Sequence, residues 1–219
     1  MDPNPPPIVE TALDVHEVTD DEYVEVLGHC ARVMAESRIP HCFIGGLAST
    51  IYGRRRTTRD LDLFVRPEDA DRTLRVLRDA GFDVERSDPD WIFKAARNGL
   101  LVDVIFRSSD GTLLDPELEN HVRTEEYHGL RLPVIPPEDL LITKTSAFRE
   151  DTPRQWFDCL AVLDSVELDW DYLVERARAK PHRVLALLLF GLGNGRRVPD
   201  EVLETLLASA IQVSRERAA

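Results

Sequence analysis

The sequence has few of the residues that build extracellular or zinc-stabilised domains. It contains three cysteines in 219 residues, and none of them forms a Cys-x-x-Cys pair. Its six histidines are scattered and show no zinc-ligand spacing. We recognise no signal peptide, so a reduced, cytoplasmic compartment is expected.

Positive charge is also scarce. Asp and Glu number 40 against 27 Lys and Arg, which gives a formal net charge of −13. Because a broad grip on nucleic acid needs clustered cations, this charge argues against a large nucleic-acid surface, although a local basic patch is compatible with it. The apolar run from Val184 to Phe190 is too short to cross a bilayer, so no membrane partner is expected.

A hydrophobic content of 43% is sufficient for a core, and the length suits one large domain with a helical appendage. We predict a flexible, proline-rich leader over residues 1–18, an α/β domain over residues 19–135 and a helical region over residues 136–219. Pro136 and Pro137 break the strand pattern at the second boundary and open a helix.

Periodicity predicts the order of elements within the α/β domain. A helix follows the capping residue Thr19, and apolar strands begin near His41 and Asp60. The turn dipeptide Asn98-Gly99 predicts a hairpin between strands at residues 91–95 and 100–106. A last strand is expected at residues 130–135, whereas the segment that precedes it has no clear pattern.

The most informative stretch runs from Phe43 to Val65 and reads FIGGLASTIYGRRRTTRDLDLFV. Side chains alternate along a strand, so Asp60 and Asp62 share one face while Leu61 packs on the other. Two carboxylates at the end of a buried strand are costly to leave unpaired. A hard divalent cation such as Mg²⁺ would remove that cost.

Two further features strengthen this interpretation. Gly45-Gly46 ends a strand and opens a helix, where bare backbone N–H groups attract phosphate. Asp103 lies inside the apolar run from Leu100 to Phe106, where a charged residue needs a partner or a metal. Three carboxylates on adjacent strands beside a phosphate-binding turn indicate a two-metal phosphoryl-transfer site.

This combination resembles the nucleotidyltransferase superfamily that includes DNA polymerase beta and the minimal nucleotidyltransferases. More narrowly, it is similar to the AbiEii/MenT-type nucleotidyltransferase toxins, which carry Gly-Gly-x-Ala followed by Arg-x-Ser/Thr-x-Asp-x-Asp. The resemblance spans residues 40–163 and implies an α/β (α+β) fold, with a mixed sheet flanked by helices and a C-terminal helical bundle. The matching residues are Gly45, Gly46, Ala48, Arg56, Thr58, Asp60 and Asp62.

The resemblance also implies roles for these residues. Asp60 and Asp62 would hold two Mg²⁺ ions, with Mn²⁺ as a substitute. Asp103 would be a third ligand or the general base on the attacking hydroxyl. The residues expected to bind the nucleotide are Gly45, Gly46, Arg56, Thr58, Lys144 and Asp158.

Two positions depart from the family pattern of Lys-Asp-x-x-Asp near residue 158. Arg154 replaces the lysine and Gln155 replaces the first acid. Within the arginine cluster at residues 54–59, the motif favours Arg56 over its neighbours for phosphate contacts. Lys94 and Arg97 lie on the predicted partner strand of Asp103, and we assign them no role.

Three alternatives remain for the acceptor of the nucleotidyl group. The first is an RNA end, such as that of tRNA, in a toxin-like setting with an antitoxin partner; the arginine cluster favours it. The second is a cationic small molecule such as an aminoglycoside or lincosamide, which suits an acidic protein and a pocket lined by Asp115, Glu117 and Glu119. The third is a non-catalytic module that binds an NTP or a protein.

Overall fold

The structure is a computed structural model that describes residues 12–54, 56–149 and 153–218. Most of the predicted leader therefore lies outside the described residues. Its described end is attached to the sheet, because Val15 forms a parallel bridge with Gly99 and the His16 N–H donates to the Gly99 carbonyl at 3.0 Å.

The chain divides into two compact units. The first comprises Met1–Leu47 and Thr57–Val134, and the second comprises Ala48–Arg56 and Ile135–Ala219. The predicted boundary between residues 135 and 136 stays a prediction, because the second unit also takes in the segment at residues 48–56.

The first unit is built on one mixed sheet. Within the described residues the sheet has seven strands in the order β3-β4-β5-β2-β1-β7-β6. β2 pairs with β5 in parallel, whereas β4 pairs antiparallel with both β3 and β5. The strands are β1 (His41–Phe43), β2 (Asp60–Val65), β3 (Asp83–Asp88), β4 (Ile92–Arg97), β5 (Leu100–Ile105), β6 (Arg123–Tyr127) and β7 (Leu130–Val134).

The hairpin between β4 and β5 forms at the predicted turn. Asn98 and Gly99 both adopt positive φ, at 48° and 83°, which is the backbone conformation that a two-residue type I′ turn requires. The turn sets the register, so that Arg97 pairs with Leu100 and Lys94 with Asp103.

Helices complete the first unit. The helix α1 (Asp20–Ser37) begins with a capping box between Thr19 and Glu22 and buries Leu27 and Met34. α2 (Gly45–Ile51) follows β1 and continues into the segment at residues 48–56 of the second unit. α3 (Ala70–Asp79) follows β2 after a 3-10 turn at Pro67–Asp69. α3 ends at Gly81, whose φ is 84°.

The segment without a clear pattern contains α4 (Pro116–His121) and the strand β6. Asp115 caps α4, and Leu118 is its one buried side chain. β6 lies at the edge of the sheet and carries no fully buried residue. Neither element has an apolar stripe, which is why periodicity does not reveal them.

The second unit is helical in its described residues beyond β7. No helix in the described part of the chain is long and apolar enough to cross a membrane. The three cysteines are buried and form no disulfide. The helices are α5 (Pro137–Ala147), α6 (Arg154–Ser165), α7 (Trp170–Ala177), α8 (Pro181–Gly193) and α9 (Asp200–Ala218).

Candidate active site

The parallel pairing of β2 with β5 brings the three predicted carboxylates to one face of the sheet. Asp62 and Asp103 are direct register partners, and Asp60 lies two residues before Asp62 on the same strand. Residues in register on neighbouring strands point to the same face, as do residues two apart. The structure therefore groups Asp60, Asp62 and Asp103 as predicted, while their roles stay predictions.

The glycine pair makes room for one of these carboxylates. Gly45 has a φ of +63°, and a Cβ at this position would collide with the Asp62 carboxylate. The Gly46 N–H donates to Asp62 Oδ2 at 3.3 Å, and the Ile44 N–H donates to the Asp62 carbonyl at 2.9 Å. The pair thus positions Asp62, a role that the sequence did not indicate; phosphate binding by Gly45 and Gly46 stays a prediction.

Thr58 has a comparable role at the start of β2. Its side chain is buried, and its hydroxyl donates to Asp60 Oδ1 at 3.0 Å. The Tyr23 hydroxyl donates to the Asp60 carbonyl at 3.4 Å. Thr58 therefore orients a carboxylate, whereas the motif had suggested contact with the nucleotide, which stays a prediction.

Asp103 is held differently. Its Oδ1 is buried and has no hydrogen-bond partner among the described residues. Burial raises the pKa of Asp103 to about 6; the charge of Lys94 lowers this pKa and the charge of Asp60 raises it. An orphaned, half-buried carboxylate is costly in the absence of a ligand.

The donor set fits a hard divalent cation. Carboxylate oxygens are the ligands that Mg²⁺ prefers, and the Asp103 oxygen has an unused coordination capacity. Within residues 12–54, 56–149 and 153–218, however, no three His, Cys, Asp or Glu side chains are already arranged around a metal position. The Asp60 carboxylate accepts a hydrogen bond from Thr58, and the Asp62 carboxylate accepts one from Gly46.

A lysine that sequence reasoning passed over lies beside the carboxylates. Lys94 pairs in register with Asp103 on one side and with Glu85 on the other. The predicted turn at residues 98–99 was sufficient to find this pairing. If Arg97 pairs with Leu100, then the residues three positions further from the turn, Lys94 and Asp103, also pair.

The second unit contains a separate charged cluster around Asp158. Arg56 binds this fully buried carboxylate through two hydrogen bonds, from Nε at 3.2 Å and from Nη2 at 3.0 Å. Lys144 Nζ donates to Asp158 Oδ2 at 2.8 Å and to Gln155 Oε1 at 2.9 Å. Arg54 Nε lies 3.3 Å from Asp158 Oδ1.

The cluster combines three cations with one anion. Burial alone would raise the pKa of Asp158, but the charges and hydrogen bonds of Lys144 and Arg56 outweigh it and hold the pKa below its usual value. The structure therefore joins three predicted nucleotide-binding residues, Arg56, Lys144 and Asp158, and adds Arg54. Gln155 keeps a contact with Lys144 although it lacks the charge of the acid found in the family.

Comparison with known proteins places the chain. A family model described as an uncharacterised nucleotidyltransferase matches residues 22–194. No functionally curated protein matches the chain.

Several solved structures are similar to this one. The antibiotic-resistance factor ANT(2'')-Ia has a TM-score of 0.57 and 17% identity, over 78% of this chain and 98% of that one. The lincosamide antibiotic adenylyltransferase LnuA, solved with lincomycin bound, has a TM-score of 0.50 and 17% identity, over 69% and 100%. The nucleotidyltransferase toxin MenT4 from Mycobacterium tuberculosis H37Rv has a TM-score of 0.45 and 15% identity, over 80% and 66%. The first two similarities confirm the predicted fold class.

Replacement of Gly45 tests the contact with Asp62. We expect Gly45→Ala to lower the free energy of unfolding by about 2–3 kcal/mol, because the methyl group displaces the carboxylate and the positive φ costs about 1 kcal/mol. The control is Gly129→Ala, which also has a positive φ but open space around it. Urea unfolding measures both, and equal losses would show that the Asp62 contact contributes nothing.

Replacement of Asp103 tests the cost of its carboxylate. The folded-state pKa lies above the unfolded value, so ionisation weakens the folded state as pH rises from about 4 to about 6. In EDTA at pH 8 we expect the free energy of unfolding of Asp103→Asn to exceed that of wild type by about 1 kcal/mol, a value that allows for solvent screening. At pH 4 the two proteins should differ little. Thermal unfolding at both values measures this, and a destabilised variant at pH 8 would contradict it.

Replacement of Asp158 tests the cluster in the second unit. We expect Asp158→Asn to lower the free energy of unfolding by about 3 kcal/mol at pH 7, because three cations lose their anion. The loss should shrink in acid, since the pKa of Asp158 is lowered and its stabilisation disappears as pH falls through that value. The control is Asp164→Asn, on the same helix as Asp158, which removes an ion pair with Arg196. It should lower the free energy of unfolding by about 1 kcal/mol or less. Similar losses in the two variants would contradict the interpretation.

Proposed function

The chain belongs to the family of uncharacterised nucleotidyltransferases, and from that premise we propose that it transfers a nucleoside monophosphate from an NTP to an acceptor hydroxyl, releasing pyrophosphate. The enzyme class follows from the family. The observation that supports the proposed residues is the register of β2 and β5, which sets Asp62 beside an Asp103 oxygen that has no hydrogen bond within the described part of the chain.

The three carboxylates have distinct roles in this proposal. Asp60 and Asp62 hold divalent cations, Mg²⁺ or in its place Mn²⁺. Bound metal would offset phosphate charge and lower the pKa of the acceptor hydroxyl. Asp103 accepts the hydroxyl proton at Oδ1 as general base, or it is a third ligand of the metal.

Nucleotide binding is assigned to two sets of residues, one in each unit. In the first unit, the backbone N–H groups of Gly45 and Gly46 bind phosphate, and Thr58 keeps Asp60 in place. In the second unit, Arg56 and Lys144 supply positive charge for phosphate, and the buried Asp158 holds them together. The surplus of cations over Asp158 supports this assignment.

For the acceptor we propose an RNA 3′ end, such as that of tRNA, with an antitoxin protein as a possible partner in the cell. Arg54 and Arg56 belong to the cationic cluster, which gives an acidic protein local positive charge; Arg59 is exposed and lies 3.0 Å from Glu17. Buried cysteines that form no disulfide suit the reduced cytoplasm in which we place the enzyme.

The alternative is a small cationic acceptor, which the net charge of −13 favours. The acidic residues suggested for such a pocket are engaged locally, however. Asp115 caps α4, Glu119 pairs with Arg66, and Glu117 lies 3.7 Å from His121. This local pairing leaves the small-molecule acceptor with less support than RNA.

Transfer of label from α-labelled NTPs in Mg²⁺ tests the proposal, with total cellular RNA and a small-molecule extract as acceptors. We expect labelled RNA with wild-type protein and a loss of more than ~100-fold with Asp62→Asn, because loss of even an outer-shell partner of a metal costs 10–100-fold. Asp171→Asn, an exposed carboxylate on α7, is the control and should remain active.

Two outcomes would change the proposal. Label confined to the small-molecule fraction would replace the RNA acceptor with the alternative. Equal activity in Asp62→Asn and Asp171→Asn would contradict the assignment of the carboxylates.

A further inference from the structure

Four adjacent strands of the first unit carry one row of charged residues. Glu85 pairs in register with Lys94, Lys94 with Asp103, and Asp103 with Asp62. Because register partners point to the same face of a sheet, all four side chains belong to the face that carries the proposed active site. The row reads negative, positive, negative, negative across β3, β4, β5 and β2.

The side chains of the two end residues of the row, Asp62 and Glu85, accept hydrogen bonds, whereas those of the two central residues, Lys94 and Asp103, have none among the described residues. Asp62 accepts a hydrogen bond from Gly46, and Glu85 accepts one from the Ser87 hydroxyl at 2.7 Å. Asp103 Oδ1 has no hydrogen bond among the described residues, so the nearby Lys94 acts on Asp103 through its charge. Lys94 is partly exposed, and an ammonium group has three donors and no acceptor. It is therefore suited to bind an anionic group of a ligand.

The order of residues in the row indicates the side from which an acceptor would approach Asp103. If Asp60 and Asp62 hold the metals and the NTP phosphates, the acceptor must approach Asp103 from the side of Lys94. Its hydroxyl has to lie within about 3 Å of Asp103 Oδ1 for proton transfer. The atoms next to that hydroxyl then lie over β4, against the lysine.

We propose that Lys94 determines acceptor specificity by contacting the last phosphodiester of a single-stranded RNA 3′ end. This inference rests on the proposed function. In such an acceptor, the phosphodiester is the anion nearest to the terminal ribose hydroxyls. A polycationic aminosugar would instead place an ammonium group beside that of Lys94, which is unfavourable.

The test compares two fluorescent 12-residue oligoribonucleotides, identical except for an uncharged methylphosphonate at the last linkage. In Mn²⁺ and a non-hydrolysable ATP analogue, we expect wild-type protein to bind the normal oligonucleotide about tenfold more tightly by fluorescence anisotropy. With Lys94→Gln this preference should disappear, and the salt dependence of log K should fall by about 0.7. Lys94→Arg should restore most of the preference.

The control is Arg131→Gln, which removes one exposed cation from β7 and should leave the preference unchanged. Absence of RNA binding, absence of a preference in wild type, or an equal preference in Lys94→Gln would each overturn the assignment of Lys94. Binding of tobramycin that weakens in Lys94→Gln would overturn it as well, in favour of an aminosugar acceptor.

The failure of the underlying function is recognised separately. Wild-type protein that does not bind ATP in Mn²⁺ would contradict the proposed nucleotidyl transfer itself. Metal-dependent ATP binding together with any of the contrary oligonucleotide results would overturn only the role of Lys94.

Discussion

The cost of placing carboxylates on a largely buried sheet governs the structure of the first unit. An ionised carboxylate that loses water needs hydrogen bonds, a cation or a proton. The parallel register of β2 and β5 places Asp62 and Asp103 side by side, which adds repulsion to that cost. The two carboxylates differ in their surroundings: Gly45 leaves room for Asp62 and the Gly46 N–H donates to it, while Asp103 has a raised pKa and an oxygen without a hydrogen bond among the described residues. Carboxylates in such different environments are suited to different chemical roles.

The second unit shows the opposite solution. Asp158 is fully buried, yet Arg56 and Lys144 bind it directly and Arg54 lies within ion-pair distance. Its lowered pKa reflects that these cations outweigh the effect of burial. A fully paired carboxylate is a poor general base, so Asp158 is suited to hold cations in place. Among the described residues, the cluster joins three cations to this one carboxylate.

Much of this arrangement could be predicted from the sequence, because it depends on local patterns. Alternation placed Asp60 and Asp62 on one face, and Asn98-Gly99 located the hairpin that carries Asp103. The steric role of Gly45 could not be predicted, since it depends on a side chain that lies 17 residues further along the chain and packs against it only in the folded state. The helix α4 and the strand β6 were missed because edge and surface elements lack an apolar period. Lys94 could have been found, since the turn fixes its pairing with Asp103.

The net charge of −13 is a poor guide to the acceptor, because exposed charges in salt solution act only over a short distance. At physiological ionic strength, exposed charges act over about 8 Å, so the charges in register with Asp103 matter more for a ligand there than the total charge of the protein. Lys94 is the register neighbour of Asp103 on β4, and Glu85 follows on β3. Lys94 is the one cation among the four charged residues of this row, and the register of one hairpin decides where that cation lies.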